Sequence, residues 1–203
     1  CGPIGILSIL AARRAGAAEI VATDLSDFTL GKAREAGADV TIRRVPELVP
    51  EAVAKRSGYK MDQSASVATV AELADYDAII IGTPTRFGNM AAPLKHFIDG
   101  LGAEWASGTL VGKPAAVFTS TATHHGGQEA TLLSMLIPLL HHGCVVAGIP
   151  YTEPQLHSTT GGGTPYGASH VAGANDDPQP TDDEAALARA LGRRVAQLAA
   201  KLA

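Results

Sequence analysis

Five short runs rich in branched apolar residues, EIVATD, DVTIRRV, DAIIIGTP, PAAVFTST and CVVAGIP, recur along the chain with helical patterns between them. Their apolar residues come in continuous runs rather than at every second position, which describes strands buried on both faces. Such strands separated by helices build a parallel sheet covered on each side, so this alternation predicts an α/β fold. At 203 residues the chain reads as a single domain, 1–203, long enough to bury that core. A net charge of -4 argues against a phosphate-backbone partner and hence against nucleic acid. Cys1 and Cys144 are too few for a disulfide framework or a zinc cluster, which points to a reducing cytoplasm. No apolar run has membrane-spanning length, and no signal peptide is visible, so no membrane partner is expected.

The segment GTPTRFGNMAAPLKHFIDG directly follows the run DAIII. A glycine-bracketed turn at the carboxyl end of a parallel strand is where open α/β sheets bind ligands, because backbone N–H groups are free there. Arg86 sits in this turn between Thr85 and Phe87, followed by Gly88 and Asn89; the alternative is an ordinary loop with a solvated arginine. A second segment of this kind, TSTATHHGGQEAT, follows PAAVF and places Ser120, Thr121, Ala122 and Thr123 where a planar ring can lie against backbone. His124 and His125 read as exposed rather than metal-bound, since no carboxylate or cysteine stands at ligand spacing; no metal site is expected. His141 and His142 close an apolar helical run before Gly143, which suits either helix C-terminal capping or a site role. Thr69 with Glu72, and Thr181 with Glu184, have capping-box spacing. HSTTGGGTPYGASHVAGANDDPQPTDD is polar and glycine-rich and reads as a long surface loop.

The strings RRVPE, ELADYDAIIIGTPTRFGNM, WASGTLVGKPAAVF, GGQE, HHG and GGGTPYGASHVAG occur in an order that resembles the WrbA-type NAD(P)H:quinone oxidoreductases, from residue 40 onward. The resemblance implies a flavodoxin-like, doubly wound parallel sheet of five strands, bound FMN, NAD(P)H as co-substrate, a small-molecule quinone as acceptor and a homotetramer. It implies that Thr85, Arg86, Phe87, Gly88 and Asn89 run along the isoalloxazine edge, and that Ser120, Thr121, Ala122, Thr123, His124 and His125 form the second flavin loop. Trp105, as a substrate contact, and His142 would wall the pocket over the exposed flavin face in the tetramer. For Trp105 the alternative is core packing.

Residues 1–39 resemble instead the coenzyme domain of medium-chain, zinc-type alcohol and polyol dehydrogenases, with GPIG closing a glycine turn and Asp24 as the ribose-binding acid. A chimera is therefore expected. EIVATD would serve as the central first strand, LSDFTLGKAREAG would replace the phosphate loop and first helix, and residues 3–14 would form an extra N-terminal helix. Asp24 and Asp27 would repel an FMN phosphate. That conflict gives a second reading, a recombined nucleotide-binding fold with impaired FMN binding and little activity. A third is an NAD-binding module using Gly2, Gly5 and Asp24.

Overall fold

The computed structural model describes residues 20–22, 40–57, 59, 65–173 and 179–202. Strand β1 (Ile20–Ala22) lies between β2 (Val40–Arg44) and β4 (Ala78–Arg86) and pairs in parallel with both. EIVATD thus contributes the central strand, as expected. On its other edge β4 pairs in parallel with β6 (Pro114–Thr121), from Ile79 opposite Ala115 to Pro84 opposite Ser120. The far edge of β6 is shared: β7 (Val145–Val146) pairs with its first residues and β8 (Ala168–Val171) with its last. Taken as one position, β7 and β8 complete the flavodoxin-like order in which the first strand lies between the second and third. Beyond this frame, β3 (Ser66–Val67) flanks β2, and β5 (Asn89–Met90) folds back antiparallel on the end of β4.

Two expectations need correction. CVVAGIP is not one full strand, since only Val145–Val146 forms one, and the stretch read as a surface loop contains the buried strand β8. At Gly148 the backbone meets another segment so closely that a Cβ would lie 2.3 Å from the Pro165 carbonyl oxygen. Ile149 N donates to that same oxygen at 2.9 Å, so the chain leaves β6 here. It passes through the short helix α5 (Gln155–Ser158) and returns at Ala168 to finish the sheet position.

Alternation along β4 divides the core. Ala78 and Ile80 face one layer, where Ala116 and Phe118 of β6 meet Leu187, Leu191 and Val195 of helix α6 (Asp182–Leu202). Ile79 and Ile81 face the other, against Leu94 and Phe97 of α2 (Ala92–Asp99) and Leu132 and Met135 of α4 (Gln128–His141). The shorter helices α1 (Glu51–Arg56) and α3 (Gly102–Ser107) complete the helical elements, with a 3-10 turn at Ala71–Asp75.

Both capping pairs are present. Thr181 N donates to Glu184 Oε2 at 2.8 Å while Glu184 N donates to Thr181 Oγ1 at 3.2 Å, a reciprocal box at the start of α6. Thr69 N donates to Glu72 Oε1 at 2.7 Å ahead of the 3-10 turn. The helix expected over residues 3–14, Gly2, Gly5, Asp24, Asp27 and the phosphate-loop replacement lie outside the described residues. Among the described residues, no helix is long and apolar enough to cross a membrane.

Candidate functional site

Strand β4 does not end in an open loop. It runs through Arg86, turns at Phe87 and Gly88, and returns as β5, with Arg86 opposite Asn89. Both turn residues have positive φ, 53° and 77°, as a two-residue hairpin of matching twist requires. Gly88 adopts this freely, but a side chain in the left-handed region costs roughly 1–2 kcal/mol. Phe87 bears that strain with its side chain fully exposed. Arg86 is exposed and donates from Nη1 to Thr85 O at 2.9 Å. Gly88 N donates to Thr85 Oγ1 at 3.3 Å, and Met90 N donates to Asn89 Oδ1 at 2.8 Å.

The loop after β6 lies alongside. Ser120 is half-buried, Thr121 is buried, and Ala122, Thr123, His124 and His125 are exposed. The two histidine rings meet edge to face, their centroids 5.5 Å apart. Thr121 Oγ1 and Gly126 N both donate to Thr123 O, at 2.8 and 3.0 Å, which folds the loop back on the strand end. A Cβ on Gly126 would lie 2.9 Å from both Thr121 Cβ and Thr123 O, so this fold needs glycine. A Cβ on Gly127 would lie 3.0 Å from Gly88 Cα, so the two loops touch. Thr131 of α4 ties them together, its hydroxyl donating to Gly127 O and sharing a hydrogen bond with Thr85 Oγ1, both at 2.8 Å. Residues 85–89 and 120–125 therefore assemble at the carboxyl end of neighbouring central strands.

Trp105 and His142 lie elsewhere in the chain. Helix α4 starts beside the two loops and ends at His141, a rise of about 20 Å over its length. At that far end Trp105 is 60% exposed, not core-packed, and its Nε1 donates to His141 O at 3.0 Å. Trp105, Ile137, Pro138, His141 and His142 line a hollow of about 340 Å³. Burial holds the His142 imidazole below the ordinary histidine range, against the opposing pull of Glu104. Cys144 is buried, and that burial pushes its thiol up to about 11 despite Lys113, so it is no nucleophile. Among the described residues, no group of three or more histidine, cysteine or carboxylate side chains is placed to hold a metal ion.

Several polar residues at the loops were not singled out from the sequence. Thr83 is buried and accepts from Ala91 N at 3.0 Å, which fixes the start of α2 below the hairpin. Gln128, Thr131, Ser169 and His170 are also buried and bonded. Their only sequence signal is polar residues next to strand ends.

Residues 11–154 match the family described as NADPH-dependent FMN reductase. The chain belongs to that family. It is 59% identical over 175 residues to an NAD(P)H dehydrogenase (quinone) of Paracoccus denitrificans (strain Pd 1222), covering 84% of each chain. An NAD(P)H dehydrogenase (quinone) 3 of Rhizobium meliloti (strain 1021) is 54% identical over 175 residues, covering 84% of this chain and 82% of that one. In fold it is similar to a flavodoxin, WrbA-like protein from Agrobacterium tumefaciens, with a TM-score of 0.60 at 22% identity over 93% of this chain and 100% of the other. In this FMN reductase family member the two touching loops offer hydroxyls, backbone groups and one guanidinium around Gly126 and Gly127, where an added Cβ would crowd the loop itself or its neighbour. That donor set fits the flat, carbonyl-edged ring of a flavin.

Proposed function

We infer that this chain is an FMN-dependent NAD(P)H:quinone oxidoreductase, built as one flavodoxin-like domain and acting in the cytoplasm. The observation that carries the reading is the contact of the turn at residues 85–89 with Gly126 and Gly127, where the loop from residues 120–125 ends at the carboxyl side of β4 and β6, in a chain more than half identical to NAD(P)H dehydrogenases (quinone). When bound, FMN supplies two-electron chemistry between NAD(P)H and a quinone. The protein's part is position and electrostatics. Thr85, Arg86, Phe87, Gly88 and Asn89 hold one edge of the ring, with the Arg86 charge favouring electron density there. Phe87 offers an aromatic face to the ring, and Ser120, Thr121, Ala122, Thr123, His124 and His125 form the opposite bank.

Trp105 and His142 are separated from these loops by the length of α4, so they serve the site of another copy in a homotetramer. Leu133, Ile137 and Leu140 of α4 are exposed at helical spacing, with Val111 and Trp105 exposed nearby in the fold, and such an apolar face supports contact between copies. For residues 1–39, GPIG and Asp24 support an origin in a dinucleotide-binding domain, joined to the flavodoxin-like remainder through the central strand β1.

Arg86 gives the direct test. Arg86→Ala removes an exposed guanidinium with one described bond to its own loop, so the fold should persist. Loss of a charged hydrogen bond at the reacting ring should lower kcat/KM for the quinone roughly tenfold to a hundredfold. Unchanged steady-state kinetics would remove Arg86 from the site.

A further inference from the structure

We propose that Gln128 is the positioning residue of the loop at residues 120–125, holding that loop against the sheet through a buried hydrogen-bonded chain that begins in the glycine-rich excursion. This rests on the reading of that loop as flavin-facing.

Gln128 is the first residue of α4 and only 5% exposed, although its side chain carries four hydrogen-bonding positions. Its Nε2 donates to Thr121 Oγ1 at 3.0 Å, and its Oε1 accepts from Ser169 Oγ at 2.6 Å. Both partners are nearly inaccessible, Thr121 at 2% and Ser169 at 1%. The chain continues at each end. Ser169 Oγ accepts from Gly163 N at 2.7 Å, and Thr121 Oγ1 donates to Thr123 O at 2.8 Å.

The direction of every bond is fixed by its neighbours. The Thr123 carbonyl can only accept, so the one Thr121 proton is directed to it and Thr121 must accept from the Gln128 amide N–H. That turns Oε1 of Gln128 toward Ser169, which donates to it while accepting from Gly163 N. Five residues from three separate segments are held in one donor-to-acceptor sequence, and the two bonds made by Gln128 are buried, where an unmade bond is costly. Its last member, the Thr123 carbonyl, is also where Gly126 N bonds, so it is the point about which the loop turns. The Gln128 side chain bridges Ser169 of β8 to Thr121 at the end of β6.

The test uses Gln128→Met, which keeps length and removes both bonds, in the full chain freed of flavin. FMN and riboflavin are each titrated by quenching of flavin fluorescence, and backbone hydrogen exchange is followed at residues 121–126. We expect faster exchange in that segment and an affinity loss of about tenfold, equal for FMN and riboflavin because the loop faces the ring and not the phosphate. Unchanged exchange in that segment would overturn the role of Gln128. Faster exchange with unchanged affinity for both flavins would overturn the flavin-facing reading of the loop, and the proposal with it. A loss for FMN alone would also contradict the proposal, since it would locate the effect at the phosphate. Should the methionine variant fail to fold, Ser169→Ala removes the bonds of Ser169 to Gln128 and Gly163 but keeps the one from Gln128 to Thr121, and should give the same pattern at smaller amplitude; no change in exchange or affinity there would overturn the proposal equally.

Discussion

Gly82→Ala is expected to destabilise the protein by about 3 kcal/mol or more, the response of a packed core forced to take an extra group where it has no room. Gly82 lies in the middle of β4, directly opposite Phe118 of β6. The Phe118 ring is 1% exposed and lies across the glycine, so that a Cβ there would stand 1.9 Å from ring carbon Cζ. The backbone conformation at Gly82 is an ordinary extended one, so the obstacle is the ring alone. To admit a methyl group, the ring must leave its place between the sheet and Leu187 and Leu191 of α6. In a chain of this size the loss corresponds to a fall in Tm of roughly 6–12 °C. Phe118→Leu, destabilising by itself, should cost less in the Gly82→Ala background, because the two changes share one space. Thermal unfolding of both single variants and the double variant gives the coupling. Additive effects would mean that ring and glycine do not compete.

Glu184 should be the most costly charged residue to remove. It is 1% exposed and receives four hydrogen bonds: from His170 Nδ1 at 3.0 Å, Thr181 N at 2.8 Å, Val171 N at 3.0 Å and Gly162 N at 2.6 Å. Burial alone would raise its carboxyl, but these bonds outweigh that and bring it from 4.5 down to about 2. A carboxyl depressed on folding contributes stability that is complete above its unfolded value and fades as pH falls through its folded one. The contribution, about 3 kcal/mol at neutral pH, should therefore decline between 4.5 and about 2. Glu184→Gln places an N–H among donors and should lower stability at neutral pH by about 3–5 kcal/mol. Urea unfolding across this range should show wild type and variant converging as pH drops toward about 3. A constant gap would mean that the carboxylate's charge is not what stabilises the fold.

Glu184 also shows what could be read from the sequence and what could not. Glu184 stands three residues after Thr181, and that local spacing is enough to identify a helix start, which is what the structure contains. Burial of β4 on both faces likewise follows from its continuous apolar run, whereas the central position of β1 follows from the resemblance to flavodoxin-like sheets. Strand β8 was hidden because Ser169 and His170 are polar, and polar residues are buried only when distant partners satisfy them. Those partners, Gln128 and Glu184, are 41 and 14 residues away along the chain. CVVAGIP reads as one continuous strand because the approach of Gly148 to Pro165 leaves no local trace. The hairpin at Phe87–Gly88 lacks the asparagine or aspartate that signals such a turn, so only the backbone reveals it. Of the site, the two loops were legible from their position after strands. The distance from Trp105 and His142 to those loops was not, because it depends on the direction and length of α4.

We propose that the paired loops at the ends of β4 and β6 hold a flavin that exchanges electrons with NAD(P)H and a quinone. An anaerobic titration of the purified protein, supplied with FMN, follows the oxidised flavin band at ~450 nm. One equivalent of NADPH or NADH should bleach the band and one equivalent of quinone should restore it. A protein that stays colourless after FMN is added, or one whose bound flavin neither nicotinamide bleaches, would contradict it.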